Sequence, residues 1–381
     1  MRILTVDIGT GTQDIFLYDS RLDIENGYKL ILPSPTMMVR RKVQLCTQGG
    51  DAIALHGVMM GGGPSHWAVE DHLRAGFAVY ATPAAARSFN DDLEAVKQMG
   101  IQLVSEDEIQ TLPAAVKRIE LKDFDFQAIA AAFRLFGVDL TDLSAVAVAV
   151  FDHGDAPPDV SDRQFRFDYL DQRLRAANRL SAFAYLADQI PAIMTRLQAV
   201  ATSARDLDAP LVVMDTAPAA VLGALFDPIV ANRKPLIVAN VGNFHTLAFR
   251  LGEQGIEGLF EHHTGLLNLA KLETLLIRLA EGSLRHAEVF DDMGHGALVY
   301  IEQPIDLSQG DFGVAVTGPR RKMMKPSSLR PYFAAPFGDM MITGCFGLLA
   351  AVGDCLPELA EPIRDSLRAA PDREIAPWEV N

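Results

Sequence analysis

The sequence opens on a carboxylate followed by glycines and hydroxyls, Asp7-Ile8-Gly9-Thr10-Gly11-Thr12-Gln13. They are set between the apolar runs Ile3–Val6 and Ile15–Tyr18. A strand that ends in an acid, turns tightly and returns as a second strand suits the phosphates of a nucleotide. Glycines let backbone N–H groups approach an anion, and threonine hydroxyls add donors. Asp7 would stand at the strand's carboxyl end, where it could hold Mg²⁺ through water. A Walker loop or a Rossmann turn needs a helix after its glycines. Here a strand follows, so both are excluded. The plain alternative is a β-hairpin with a glycine-rich turn and no ligand.

The elements that must position these residues follow from the rest of the chain. Its 381 residues suffice for two domains, and 49% hydrophobic residues allow large cores. The formal charge of −15 argues against a nucleic-acid partner, which needs a basic face. The dense basic run Arg320-Arg321-Lys322 suits a single anionic ligand or a solvated turn. Three cysteines, Cys46, Cys345 and Cys355, make neither a disulfide framework nor a zinc spacing, which points to a reducing compartment. With an apolar strand starting at Ile3 and no run of membrane-spanning length, the expectation is a cytoplasmic protein with no signal peptide and no membrane partner.

Strands and helices alternate along the first half. Lys29–Leu32, Ala52–His56, Phe77–Tyr80 and Ile101–Val104 read as strands. The apolar run Ser144–Phe151 ends at Asp152-His153-Gly154-Asp155. Helices are expected over 37–47, 83–99 and 124–136, then over 169–188 and 191–204. The alternation predicts α/β layers around largely buried sheets. A second α/β unit begins at Pro210, so the domains are expected at 1–207 and 208–381, with the last helices able to return to the first domain.

Three later stretches carry signals of their own. Met214-Asp215-Thr216-Ala217-Pro218-Ala219-Ala220 leads a strand into a helix of small residues that could pack closely as a hinge. Pro235–Asn240, the turn Val241-Gly242-Asn243-Phe244 and the strand from His245 repeat the strand-turn-strand form. Gly313–Gly318 ends a strand in glycine, and Gly344 begins a helix rich in glycine and alanine. Glycines at such ends can form a slot for a flat base.

In this order the four elements resemble the superfamily of actin, heat-shock chaperone ATPases and sugar kinases. The resemblance implies an α/β fold of two actin-like (ribonuclease H-like) lobes with ATP and Mg²⁺ in a central nucleotide cleft. Asp7 would organise Mg²⁺. Gly9, Thr10, Gly11, Thr12 and Gln13 would hold the β- and γ-phosphates. Asn240, Gly242, Asn243 and Thr246 would meet phosphate from the other lobe, and Gly318 and Gly344 would serve the adenosine. One departure stands out: the superfamily's second hairpin usually opens on Asp, and here Asn240, which cannot act as a carboxylate base, replaces it. Asp215 and Asp152, both at expected strand ends, remain as candidates for a catalytic base.

More narrowly the chain resembles a bacterial and archaeal family labelled as a pyruvate formate-lyase activating enzyme. A radical activase needs a close three-cysteine cluster motif, and the three cysteines here have no such spacing. The function expected is therefore an ATP-binding, Mg²⁺-dependent phosphotransferase for a small metabolite. The alternatives are an ATP-driven activator of a partner enzyme and a nucleotide sensor without turnover; a homodimer is compatible with each. The Gly61–His66 loop, His153 and the Arg320/Arg321 pair are candidate substrate contacts. His245 and His262-His263 are candidates for a metal, although HExxH and Cys-His spacings are absent.

Overall fold

The computed structural model describes residues 1–368 and Trp378. β1 (Arg2–Ile8) and β2 (Thr12–Asp19) form the opening hairpin, and β3 (Tyr28–Pro33) continues it antiparallel. An inserted unit follows. Helices α1 (Pro35–Gly49) and α2 (Pro64–Arg74) accompany a parallel sheet of β4 (Ile53–Gly57), β5 (Val79–Ala81), β6 (Gln102–Leu103) and β7 (Lys117–Leu121). The chain then returns to the first sheet with β8 (Ala145–Val150), β9 (Ala184–Leu186) and β10 (Leu211–Asp215), giving the order β3-β2-β1-β8-β10-β9. β8 is Ala-Val-Ala-Val-Ala-Val and wholly buried. Its alanines pack on one face of the sheet and its valines on the other. That is the pattern of a central parallel strand covered on both sides.

The second half repeats the plan. β11 (Leu236–Val241), β12 (His245–Gly252) and β13 (Gly255–His263) form an antiparallel meander, and β14 (Gly296–Val299) extends it. β15 (Val314–Thr317) and β16 (Pro331–Phe333) then add in parallel, giving β14-β13-β12-β11-β15-β16. Both sheets thus hold a three-stranded meander with parallel strands added beside its first strand. This is the ribonuclease H-like arrangement made twice, and the chain has the two-lobed actin-like fold.

Helices of both halves cover the sheets and link them. α3 (Asp162–Ala176) sits in the N-terminal half but packs Phe167, Leu170 and Leu174 into the second lobe's core. α4 (Thr195–Ser203) covers the first sheet. α5 (Thr216–Ala224) lies against α7 (Thr343–Cys355), which with α8 (Ala360–Leu367) covers the other face of the first sheet. At the α5–α7 crossing, a Cβ on Gly223 would lie 1.7 Å from the Thr343 carbonyl oxygen, and one on Gly347 would lie 1.9 Å from that of Ala219. The small residues of the expected hinge helix are therefore required by backbone-to-backbone contact. α6 (Leu269–Glu281) backs the second sheet.

The domain boundary expected at 207/208 is corrected. Leu211–Asp215 hydrogen-bonds in parallel with β8 and belongs to the first sheet, so the crossing to the second lobe comes after Asp215. The helix expected over 169–188 instead starts at Asp162, where the Ser161 side chain accepts from the Gln164 N–H, and it ends at Ala176. The apolar Ala184–Leu186 beyond it completes the sheet edge. The helix expected over 83–99 is two short pieces, Pro83–Ala86 and Leu93–Gln98, the second capped by Asp92. Among the described residues no single helix is long and apolar enough to cross a membrane.

Candidate functional site

The two glycine hairpins face each other across the lobes. A Cβ on Gly11 would lie 2.7 Å from Asn243 Nδ2, so the tip of the second hairpin reaches the turn of the first. The turn's shape is fixed from outside: Gly9 N–H donates to the Thr12 carbonyl, and Ser34 donates its hydroxyl to the Thr10 carbonyl and its N–H to the Gly11 carbonyl. A third glycine run joins them. Gly61 N–H donates to Asp123, which is held in turn by Arg196 Nε at 2.7 Å and Nη2 at 3.1 Å. Between them lies a cleft of about 1190 Å³. That is somewhat above the usual ligand-pocket range of about 300–1,000 Å³.

Asp7 stands on the cleft wall. Thr216, the first residue of α5, donates its hydroxyl to Asp7 Oδ1 at 2.6 Å. Directly opposite in the hairpin register is Asp14, whose side chain also lines the cleft. Burial pushes the Asp7 carboxyl up to about 6, with the Thr216 bond opposing and the charge of Asp215 adding. Burial and the neighbouring Asp7 push Asp14 up to about 7. Asp14 Oδ1 is buried without a hydrogen-bond partner among the described residues. Two adjacent desolvated carboxylates, one with an orphaned oxygen, form a donor set that a hard divalent cation fits. The signal for Asp14 was the hairpin: a turn centred between Gly9 and Thr12 sets it across from Asp7.

These shifts carry a pH dependence. Raised carboxyl pKa values mean that the folded chain binds more protons than the unfolded one from about pH 4 to about pH 7, so stability falls as pH rises through that window. A bound cation relieves the repulsion. We expect the melting temperature of ion-free protein to fall from about pH 5 to about pH 8, and the gain on adding Mg²⁺ to be larger at the higher pH. Thermal scans of the wild type and Asp14→Asn check this. A Mg²⁺ gain that ignores pH, or survives the substitution intact, would contradict it.

The structure separates the other expected site residues. Gly9, Thr10, Gly11, Thr12, Asn240, Gly242, Asn243, Gly318 and Gly344 all line the cleft. Gly318 has φ +96°, and a Cβ there would strike Asn240 Oδ1 at 2.4 Å. A Cβ on Gly344 would lie 1.9 Å from Asp7 Oδ2, so the start of α7 is pressed against the carboxylate. Gln13 is buried and turns its side chain to the Pro33 carbonyl, because it alternates to the opposite face from Thr12 and Asp14. Thr246 is fully buried and shares a hydrogen bond with Thr264.

Both expected bases are also displaced from the cleft. Asp152 is buried and accepts from the N–H groups of Gly154 and Leu197. Asp215 caps α5 and accepts from Arg166 Nη1 at 2.7 Å. Each is spent on holding the fold. Sequence reading missed Asp14 and also Asp91, which stands on the cleft wall with Oδ1 unpartnered among the described residues. Burial and the charges of Asp155 and Asp162 push it up to about 6. Of the candidate substrate contacts, the Gly61–Gly63 loop with His66, His153 and Arg321 reach the cleft, whereas Arg320 is exposed outside its lining. Cys345 is buried against the Asp14 carbonyl, and burial raises its thiol well above the usual range. It is an inert thiol.

Behind the second hairpin lies a buried ionic clamp. Arg166, from α3, reaches Asp215 on the first sheet and Glu261 on the second, both at 2.7 Å, and also donates to the Asp152 carbonyl. Its guanidinium lies 4.0 Å from the centre of the Phe151 ring.

A family profile described as "Putative pyruvate format-lyase activating enzyme (DUF1786)" matches residues 60–323. It begins after the Asp7 hairpin and stops before α7. No curated protein matches the chain. Among solved structures, ethanolamine utilization protein EutJ from Carboxydothermus hydrogenoformans is similar at 12% identity and a TM-score of 0.33, over 91% of this chain and 89% of that one. An exopolyphosphatase-like protein is similar at 10% identity and a TM-score of 0.26, over 84% of this chain and 66% of that one.

Proposed function

The chain belongs to the DUF1786 family, and for this member we propose that the cleft binds ATP with Mg²⁺ and transfers the terminal phosphoryl group to a small metabolite. The observation that carries this reading is the contact of the two glycine hairpins over the Asp7–Asp14 carboxylate pair. Such turns present backbone to an anion from both lobes, and the carboxylates would hold Mg²⁺, which supplies charge neutralisation at the phosphates. Closure of the lobes would exclude water from the transferring group. Asp91, with an unpartnered Oδ1 and a raised pKa, is a cleft carboxylate suited to take a proton from an acceptor hydroxyl.

A second reading, an ATP-driven activator of a partner enzyme, is favoured by the description of the family. It uses the same nucleotide site and differs in what accelerates turnover, a partner protein in place of a metabolite. Calorimetric titration of ATP with and without Mg²⁺ tests the part they share. Binding is expected to require Mg²⁺ and to weaken by about 2–5 kcal/mol in Asp7→Ala, the range for truncating one member of a buried charge pair. Absence of binding, or binding indifferent to Asp7, would sink both readings.

A further inference from the structure

Three histidines gather at one end of the second sheet. His245 begins β12 and His263 ends β13. They are direct register partners, so their side chains project from the same face. His295 lies just before β14, with its N–H donating to the Glu261 carbonyl. The one potential ligand atom on each ring lies within 4.8 Å of the other two. The ring centres are 4.9, 4.9 and 4.8 Å apart, a nearly equilateral triangle. Three imidazoles on one tetrahedral ion with metal–nitrogen bonds of about 2.0–2.1 Å have ring centres about 5 Å apart. We propose that His245, His263 and His295 form a binding site for a divalent transition metal of the zinc class, distinct from the Asp7–Asp14 site.

Further observations support the site. A carboxylate stands behind one ligand: His295 Nδ1 is 3.4 Å from Glu261 Oε1, both atoms are buried, and neither has a hydrogen-bond partner among the described residues. A slight approach would pair them and leave Nε2 of His295 for the metal, the outer-shell arrangement usual for histidine ligands. Among the described residues no side chain hydrogen-bonds the rings of His245 or His263. Phe151 stacks on His245 at 4.2 Å and fixes that ring.

The neighbouring His262 is a contrast within the same strand. Its ring faces the other way and meets Asp292 at 3.1 Å. It is a structural histidine and not a ligand. Three protein ligands leave one position of a tetrahedral ion open, as in catalytic zinc sites. His245 also lines the cleft, so the site borders the space a cleft ligand would occupy. The metal would polarise an oxygen of such a ligand or hold a water there.

The test is independent of nucleotide. Chelator-treated full-length protein is titrated with Zn²⁺ by calorimetry without ATP, and with Co²⁺ while its ligand-field absorption is followed. One ion per chain is expected, with a tetrahedral Co²⁺ spectrum. His263→Ala and His295→Ala are each expected to weaken binding at least 100-fold. Glu261→Gln should weaken it about 10–100-fold, the usual cost of losing an outer-shell partner. His262→Ala should leave it unchanged. Melting curves of each variant identify any that has merely unfolded, and the wild-type Co²⁺ spectrum stands without the variants. No stoichiometric uptake, an octahedral Co²⁺ spectrum, or a loss as large in His262→Ala would overturn the site. A failed ATP titration would leave this result untouched.

Discussion

Replacing Arg166 with Met is expected to lower stability by about 3–5 kcal/mol, the cost of breaking a buried ion pair and stranding its partners. The residue is 2% exposed and donates to carboxylates on two different sheets. Without it, Asp215 and Glu261 would face each other in a dry interior with no compensating cation. Guanidinium denaturation checks the loss. A double-mutant cycle with Glu261→Gln should return part of it, because one stranded carboxylate is then removed. A loss below about 1 kcal/mol would place the clamp with ion pairs of little net worth. Its function would then be confined to fixing the lobes and the Phe151 ring in place.

The second large effect belongs to a pair of glycines. Gly223→Ala and Gly347→Ala each push a methyl group into the backbone of the facing helix, at 1.7 Å and 1.9 Å from a carbonyl oxygen. Backbone on both sides leaves no flexible side chain to move away. Overpacking usually costs about 1–3 kcal/mol, and these positions are expected at or beyond the upper end. Gly265→Ala is the control, since a Cβ there meets nothing within 4 Å; it should stay within about 0.5 kcal/mol of the wild type. Urea midpoints for the three variants decide the matter. Near-equal values for all three would show that the helices separate easily, and that the crossing is not a fixed axis.

The residues most legible in the sequence were those whose constraint is local. Gly9, Gly11, Gly242 and Gly318 announce close backbone approach, and each lines the cleft. The apolar run Ser144–Phe151 and the alternation of strands with helices announced buried sheets. What stayed hidden was set by long-range pairing. Thr246 and Gln13 lie in the right hairpins, but strand alternation turns both away from the cleft. Asp152 and Asp215 stand where catalytic acids often stand, yet the nearby N–H groups and Arg166 claim them. Arg166 itself could not be found, because its partners are 49 and 95 positions away. His295 joins His245 and His263 only through the register of β13 with β14, for which no spacing rule exists.

The helices that cover the first sheet impose an order in time. Cys345, Phe346, Leu348, Leu349 and Val352 of α7, with Ile363 and Leu367 of α8, pack on Ile3, Phe16, Ala145, Ala147 and Val212. When β10 has been synthesised, the strands of that sheet exist but one of its faces has no cover. The chain must still be extended through the whole second lobe before Thr343 appears. At about 5–20 residues per second this leaves roughly 6–25 seconds in which an apolar face waits on a growing chain. During that interval the nascent first lobe is a natural client for chaperones. A fragment ending at Asp215 would keep the same bare face permanently, so neither lobe can be cut out as a self-sufficient unit along the chain.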